Sequence, residues 1–243
     1  MLLRTMDLDV PRMPTGDGDL GVTPGLVGDL PSIEMLLGEA GYEHRTTARP
    51  GLWGRDPYDE ADGTRSFREK IDLLAPHGLS GTASRSRRGV PTLQSAHGKL
   101  TVGNALGLEL AAFNRSRMTI IDFADSRLSA EIHVAEIPAL ILAKGSKVGE
   151  RLREPRKGTI RDKDLGDLWR LMAVADPGET AQVMAQFLSY AEVGTDVRQS
   201  VEWTVSVLRD PLSRERAKST FDTFVDPAEI DRVFDLWRDV LPD

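Results

Sequence analysis

The chain has 243 residues, a formal net charge of −7, 40% hydrophobic and 28% charged residues, which is typical of one large globular domain or of one domain with an appendage. It contains no cysteine, and this excludes disulfides, thiolate zinc sites and cysteine nucleophiles. The negative charge disfavours a generally basic nucleic-acid-binding surface but is compatible with a local basic groove. Because the longest apolar run is too short to span a bilayer and the N-terminus has no signal-peptide pattern, we expect a cytoplasmic protein that does not bind membranes.

Residues 1–31 are rich in glycine, proline and aspartate, so any strands there are predicted to be short. Two aspartate pairs lie in this segment, Asp7 with Asp9 and Asp17 with Asp19. Side chains at positions i and i+2 of a strand point to the same face. Each pair is therefore a candidate for binding one ligand with two carboxylates.

The next segments predict a helix, a strand and a long connection. Residues 32–40 favour a helix that Ser32 caps and Gly41 terminates. Residues 67–74 favour a strand that carries Asp72. Residues 76–99 hold many Gly, Ser and Arg residues and are predicted to form a long loop or an irregular hairpin.

The second half of the chain predicts a hairpin followed by helices. Residues 101–113 fit either a helix or a strand, and residues 118–123 and 130–134 favour strands. Pro138 is suited to the first turn of a helix over 139–152. Further helices are predicted at 164–175, 178–191, 196–209 and 227–240. The predicted fold is α+β, with a mixed α/β core over 1–160 and a helical region over 161–243.

Asp17, Asp19 and Asp72 together predict a magnesium site. Three carboxylates on neighbouring strands form a cluster of hard oxygen ligands, which Mg²⁺ prefers. Two such metals would hold the attacking and leaving oxygens of a phosphoryl or nucleotidyl transfer. The glycine between Asp17 and Asp19 leaves room for a triphosphate. Asp7 and Asp9 stay open as an alternative pair.

Other motifs are less informative. The G-x-G-x-x-G at residues 16–21 lacks the strand before it and the helix start that a dinucleotide site needs. The four histidines share no metal-ligand spacing, and no G-x-S-x-G is present. The basic run at residues 85–88 fits a solvated surface, or a contact with the phosphates of a nucleic-acid acceptor.

Four ordered parts of the chain, from about residue 2 to 172, resemble the nucleotidyltransferase-fold family, specifically its AbiEii and minimal nucleotidyltransferase-like group. The similar parts are Leu3-Arg4-Thr5 with residues 15–20, Ile71-Asp72-Leu73-Leu74, the passage from Val134 to Lys144, and Lys163-Asp164-Leu165-Gly166-Asp167-Leu168.

The resemblance implies a nucleotidyltransferase fold and transfer of a nucleoside monophosphate from an NTP to an unknown acceptor, such as an RNA or protein hydroxyl, with Mg²⁺. It also implies a role in a toxin–antitoxin or phage-defence system, with an antitoxin protein as a partner. Residues implied in catalysis and metal binding are Asp17, Asp19 and Asp72, and those implied in nucleotide binding are Lys144, Lys147 and Asp164.

The basic residues of the predicted helix over 139–152 have two interpretations. Lys144, Lys147 and Arg151 share one face by their spacing. They form either a phosphate-binding surface or a salt-bridged stripe. Asp164 and Asp167 also share a face, and we expect them to position Lys144 rather than to bind metal.

The chain departs from the family pattern at its N-terminus. The family has a G-G or G-S pair that precedes the aspartate strand and contacts the triphosphate, and no such pair precedes Asp17. We therefore expect either that the start codon is assigned too late or that this copy is truncated, with doubtful activity. The alternative function is a catalytically silent relative that binds a nucleotide or a protein. A third hypothesis is an interaction protein that docks a partner through apolar helical stripes, namely Leu168, Leu171, Met172, Val233, Phe234 and Trp237.

Overall fold

The computed structural model describes residues 4–5, 7–10, 18–79, 91–121, 125–154, 160–221 and 224–242. Within these ranges the protein has an α+β fold of seven strands and eight α-helices. The chain divides into a sheet unit, Met13–Leu108, and a helical unit that combines Met1–Arg12 with Glu109–Asp243. The predicted domain boundary at residue 160 stays a prediction.

In its described residues, the sheet unit contains five strands and two short α-helices. Its mixed sheet has the order β1-β4-β3-β2, in which β1 and β4 are parallel, and β5 pairs with the end of β4. In chain order its elements are β1 (Gly18–Gly21), α1 (Ile33–Glu39), β2 (Glu43–His44), β3 (Leu52–Asp59), β4 (Arg65–Pro76), α2 (Pro91–His97) and β5 (Gly103–Ala105).

One face of this sheet forms the core of the unit. Trp53, Leu73 and Ala75 are buried there with Leu93 and Val102. The indole Nε1–H of the buried Trp53 donates to the Thr101 carbonyl at 2.9 Å, so burial leaves no unpaired donor on that ring. Partly buried side chains of α1 and its flanking loops pack against this cluster, among them Val27, Ile33, Leu37 and Tyr42.

The sequence patterns missed three elements of this unit, one of which is the two-residue strand β2. Strand β3 contains Gly54 and Pro57, which disfavour strands, and its second half is exposed, so no apolar alternation marks it. Helix α2 lies in the segment predicted as a loop. The predicted strand at 67–74 is confirmed within the longer β4, and the ambiguous segment at 101–113 contains β5 and a 3-10 turn at Leu110–Ala112.

The helical unit contains one hairpin and six helices. The hairpin strands pair antiparallel and form a separate two-stranded sheet. The elements are β6 (Arg115–Ile121), β7 (Ser129–Ala135), α3 (Ile137–Arg153), α4 (Asp162–Val174), α5 (Pro177–Leu188), α6 (Gly194–Arg209), α7 (Pro211–Phe221) and α8 (Pro227–Val240). The predicted hairpin and five predicted helices are thus confirmed. The helix at 227–240 has the predicted ends, and the ends of the other elements are shifted.

Close contact between α3 and α6 depends on two glycines of α3. A Cβ atom at Gly145 would lie 2.0 Å from Thr204 Oγ1, and one at Gly149 would lie 2.7 Å from Trp203 Cβ. Their spacing of four residues places both glycines on the same face of α3. The two helices therefore approach more closely than larger side chains would permit.

The apolar stripes of the later helices belong to the core. Leu168, Leu171 and Met172 of α4 and Phe234 and Trp237 of α8 are at most 1% exposed. The Trp237 Nε1–H donates to the Met172 carbonyl at 3.0 Å, which joins α8 to α4. These stripes are therefore not the exposed docking surface of the third hypothesis.

Helix α7 was not predicted, because only Ser213, Ala217 and Phe221 of it are buried and two of these are small. Among the described residues, every helix is too short or too polar to serve as a membrane span.

Candidate functional site

Asp19 and Asp72 face each other on neighbouring strands. In the parallel pairing of β1 with β4, Asp19 is the register partner of Asp72. Register partners project to the same side of a sheet, and adjacent strands lie about 4.8 Å apart. The structure therefore places these two predicted site residues side by side on one face.

Arg45 extends the same row across the sheet. Asp72 is also the register partner of Leu52 on β3, and the Arg45 N–H donates to the Leu52 carbonyl at 2.9 Å. The Arg45 guanidinium forms an ion pair with Asp72 Oδ1. Both side chains are shielded, with 18% of Arg45 and 19% of Asp72 exposed.

The Arg45–Asp72 ion pair bears directly on metal binding. A guanidinium in contact with a carboxylate repels a divalent cation that approaches the same oxygen. Asp19 is exposed, so its carboxylate is accessible from solvent. A cation that bound Asp72 Oδ1 would therefore have to displace the Arg45 guanidinium.

The predicted three-carboxylate site is described only in part. Asp17 lies outside the described residues, so its distance to Asp19 and Asp72 stays a prediction. In the described part of the chain, no group of three or more His, Asp or Glu side chains is arranged to hold a metal ion. Asp19 and Asp72 are the two members of the predicted set that the structure brings together.

The alternative pair, Asp7 and Asp9, belongs to the helical unit, and both residues of this pair are exposed. The segment that carries them is held by Arg170 of α4, which is 2% exposed and donates to the carbonyls of Val10 at 2.7 Å and Thr5 at 3.4 Å. A buried arginine thus fixes the backbone on both sides of this aspartate pair.

Arg4 provides a second anchor for the same segment. Its guanidinium donates to the Val134 carbonyl at 3.0 Å, to Ser116 Oγ at 2.7 Å and to Glu136 Oε1 at 2.9 Å. These partners lie on the β6–β7 hairpin and at the start of α3. The segment that leads to Asp7 is therefore tied to the hairpin.

The basic face of α3 forms a cluster of ion pairs with α4. Lys144 Nζ lies 2.8 Å from Asp167 Oδ2, Lys147 Nζ lies 2.9 Å from Asp164 Oδ1, and Arg151 Nη1 lies 2.6 Å from Asp164 Oδ2. Lys144 is also 3.9 Å from Asp164. The salt-bridged interpretation of this face is what the structure shows, and the expectation that Asp164 and Asp167 hold Lys144 agrees with these distances.

Asp164 is the centre of this cluster. Its side chain is 4% exposed. Burial raises the pKa of Asp164, but the charges of Lys147, Lys144 and Arg151 and the hydrogen bond from Lys147 lower it by more, so the pKa of Asp164 lies below its ordinary value. The carboxylate is therefore charged at neutral pH.

Exposure distinguishes the cations of the cluster. The side chain of Lys147 is 45% exposed, whereas those of Lys144 and Arg151 are each 17% exposed. Lys147 is consequently the cation of this cluster that a dissolved anion reaches most easily.

Sequence reasoning missed Arg45 and Arg170. Arg45 stands in a polar stretch without a motif, and only the register of β2, β3 and β4 brings it to Asp72. Arg170 follows Asp167 at i+3, and this spacing indicates a shared helix face but not a contact with residues 5–10.

Comparison with known proteins yields no match: no family model, no curated protein and no solved structure is similar to this chain. The function is therefore inferred from the residues and their geometry.

Proposed function

We propose that this protein is a Mg²⁺-dependent nucleotidyltransferase that moves a nucleoside monophosphate from an NTP to a hydroxyl of an RNA or protein acceptor. The observation that carries the proposal is the facing position of Asp19 and Asp72 on adjacent parallel strands. The sequence resemblance described above supports the same reaction class and a nucleotidyltransferase-like fold.

The donor set of the two aspartates fits magnesium. Mg²⁺ is commonly bound through one or two carboxylates together with water and substrate phosphates, and Asp19 and Asp72 supply two carboxylates on one face. Asp17 is proposed as the third. The metal, when bound, supplies neutralisation of the triphosphate charge.

The reaction is an in-line displacement at the α-phosphorus. The acceptor oxygen forms a bond to this phosphorus, the bond to the β-phosphate oxygen breaks, and pyrophosphate leaves with the bonding electrons. The hydroxyl proton passes to a carboxylate, a role that suits the shielded Asp72. Arg45, once released from Asp72, has the planar fork that binds phosphate oxygens.

Within the helical unit, Lys147 of the α3 cluster is proposed as a nucleotide-binding residue. This ammonium group is the most exposed of the three cations, and a compact charge on a flexible stem suits a phosphate contact. Lys144 and Asp164 are proposed to hold it in place, since Asp164 contacts both lysines.

Asp7 and Asp9 are the competing metal pair. Their backbone is anchored by a buried arginine, as a preorganised site requires. Substitution of Asp7 or Asp9 by Asn distinguishes the two assignments: loss of transfer in these variants alone would assign catalysis to this pair instead of Asp19 and Asp72.

A second candidate function is a silent relative that binds a nucleotide or a protein without transfer. The Arg45–Asp72 ion pair favours it, because a permanent guanidinium at Asp72 would take the place of a metal.

The test is an assay with labelled NTP, Mg²⁺ and a mixture of RNA and protein acceptors. We expect Asp72→Asn and Asp19→Asn to lower transfer by at least about 10², the cost of losing one well-placed charge-stabilising group. The control Asp29→Asn changes an exposed aspartate of the same unit and should transfer normally. Wild-type transfer by Asp72→Asn would contradict the assignment, and inactivity of the unmodified protein would favour the silent relative.

A further inference from the structure

The β3–β4 hairpin carries an open pocket that none of the functions above uses. The pocket has a volume of about 460 Å³ and is lined by Tyr58, Phe67, Arg68 and Lys70. Two aromatic rings and two cations thus surround one space. Aromatic surfaces combined with positive charge are typical of sites for nucleotides in single strands.

The floor of the pocket is set by a glycine. A Cβ atom at Gly54 would lie 2.4 Å from Phe67 Cγ, so the Phe67 ring rests directly on the β3 backbone. Gly54 is the register partner of Lys70, and the Cβ direction of Gly54 therefore shares a face with the Lys70 side chain. The Phe67 and Lys70 side chains both line the pocket.

Tyr58 supplies an accessible ring. It is 38% exposed, and Arg68 Cζ lies 5.6 Å from its ring centroid, within the range of a cation–π contact. The Tyr58 hydroxyl donates to Glu60 at 3.2 Å. A planar base therefore finds both an aromatic surface and a guanidinium plane.

Lys70 is a positively charged residue of the pocket that has no carboxylate partner among the described residues. Its Nζ donates to Ser66 Oγ at 3.2 Å, and in the described part of the chain no carboxylate lies within ion-pairing distance of it. Arg68, in contrast, is 3.2 Å from Asp56, and the neighbouring Glu69 accepts from Arg55 at 2.9 Å. Lys70 is therefore the pocket cation best placed to bind a phosphate.

From this arrangement we infer that the pocket binds one nucleotide of a single-stranded nucleic acid, with the base against Tyr58 and a phosphate at Lys70. The site uses no metal, so it stands or falls independently of the proposed nucleotidyl transfer. Lys70 and Asp72 are two residues apart on β4 and point to one face, so a strand bound in the pocket lies beside the row that contains Asp72.

The test measures fluorescence anisotropy of a labelled single-stranded RNA about ten nucleotides long, at low salt with EDTA to exclude metal effects. We expect Tyr58→Ala to weaken binding about tenfold, the usual cost of losing one stacked base, and Tyr58→Phe to bind normally because it keeps the ring. Lys70→Gln should weaken binding and reduce the salt dependence of log K by about 0.7, the value for one lost phosphate contact with a single strand.

Matched controls lie in the helical unit. Tyr190→Ala removes a ring that is 45% exposed, and Arg127→Gln removes a cation that is 88% exposed, and both should bind as the unmodified protein does. Circular dichroism melting checks that each variant folds, and Tyr58→Leu provides a second variant if Tyr58→Ala does not.

Three results would overturn the inference: no measurable RNA binding by the unmodified protein, unchanged binding by Tyr58→Ala or Tyr58→Leu, or equal weakening by the controls. Free UMP should compete with the labelled RNA only at concentrations at least about a hundredfold above that of the RNA, since a single nucleotide lacks the neighbouring phosphate contacts. Competition by UMP at the same concentration as the RNA would show that the pocket binds a mononucleotide rather than a strand.

Discussion

Arg45 forms an ion pair with Asp72, whose carboxylate is needed in the proposed reaction. Removing its charge should favour a metal at Asp72, so we expect Arg45→Gln to bind Mg²⁺ roughly tenfold more tightly than the unmodified protein, from the loss of one adjacent like charge. Isothermal titration calorimetry with Mg²⁺ alone measures this change. Arg55→Gln is the control, because Arg55 pairs with Glu69 on the same sheet and is 44% exposed. Equal Mg²⁺ affinity in all three proteins would mean that Asp72 is not a metal ligand.

The buried carboxylate of Asp164 contacts three cations, and its replacement should destabilise the fold. Removing one partner of a buried ion pair typically destabilises a protein by about 3–5 kcal/mol, so we expect Asp164→Asn to lower the free energy of unfolding by an amount of this order at pH 7. Urea unfolding followed by circular dichroism measures it, with the exposed Asp239→Asn as the control. A loss below about 1 kcal/mol would show that the cations find other partners.

The Asp164 carboxylate should also make the free energy of unfolding depend on pH in the acid range. Because the pKa of Asp164 is lower in the folded protein than in the unfolded chain, its contribution to stability is present above the unfolded pKa and is lost as the pH falls through the folded pKa. Stability should therefore decline below about pH 4, and the decline should be smaller in Asp164→Asn. Urea titrations at several pH values between 7 and 2 measure the free energy of unfolding of both proteins. An equal decline in the two proteins would show that Asp164 does not cause it.

The packing of α3 on α6 is sensitive to added side-chain volume. Gly145→Ala places a methyl group against Thr204, and overpacking of this kind typically costs about 1–3 kcal/mol. Gly38 of α1 is the matched control, since no atom lies within 4 Å of its Cβ position and alanine is the better helix former by about 1 kcal/mol. Thermal unfolding should thus show a lower midpoint for Gly145→Ala and an equal or higher midpoint for Gly38→Ala.

The elements that the sequence predicts are those with a strong periodic pattern. Helices α3, α4, α6 and α8 carry apolar stripes, and Asp226 caps α8 by accepting from the Ala228 N–H at 2.9 Å, as its Asp-Pro start indicates. Strand β3 and helix α7 have no such pattern, because one is half exposed and the other buries mostly small residues. Periodicity reports burial, and an element that buries little leaves little trace of itself in the sequence.

Contacts between distant residues set the candidate site, and these were predictable only in part. The motif around Asp164 and Asp167 indicated a contact with Lys144, and the structure shows it. Arg45 reaches Asp72 only because β2, β3 and β4 align in one register, and a pattern along the chain does not determine the register between strands. The same limit applies to Arg170 and the backbone of residues 5–10.

Ligand binding should raise the unfolding temperature of the protein. If Asp19 and Asp72 hold Mg²⁺, then Mg²⁺ raises the unfolding temperature by mass action, and NTP added with Mg²⁺ raises it further. Differential scanning fluorimetry of the unmodified protein and of Asp72→Asn makes the comparison, and we expect the variant to lose most of the Mg²⁺ effect. A shift of equal size in both proteins would assign the metal to another site.

The contact between Arg170 and the segment that carries Asp7 and Asp9 has a consequence for folding during translation. Arg170, which donates to the carbonyls of Thr5 and Val10, is synthesised 160 residues after Val10. At about 5–20 residues per second, the first segment waits roughly 8–30 s for its partner, while the whole sheet unit is made in between. The contact of Arg170 with this segment therefore forms only after the sheet unit has been synthesised, and the translation rate sets how long Asp7 and Asp9 lack this anchor.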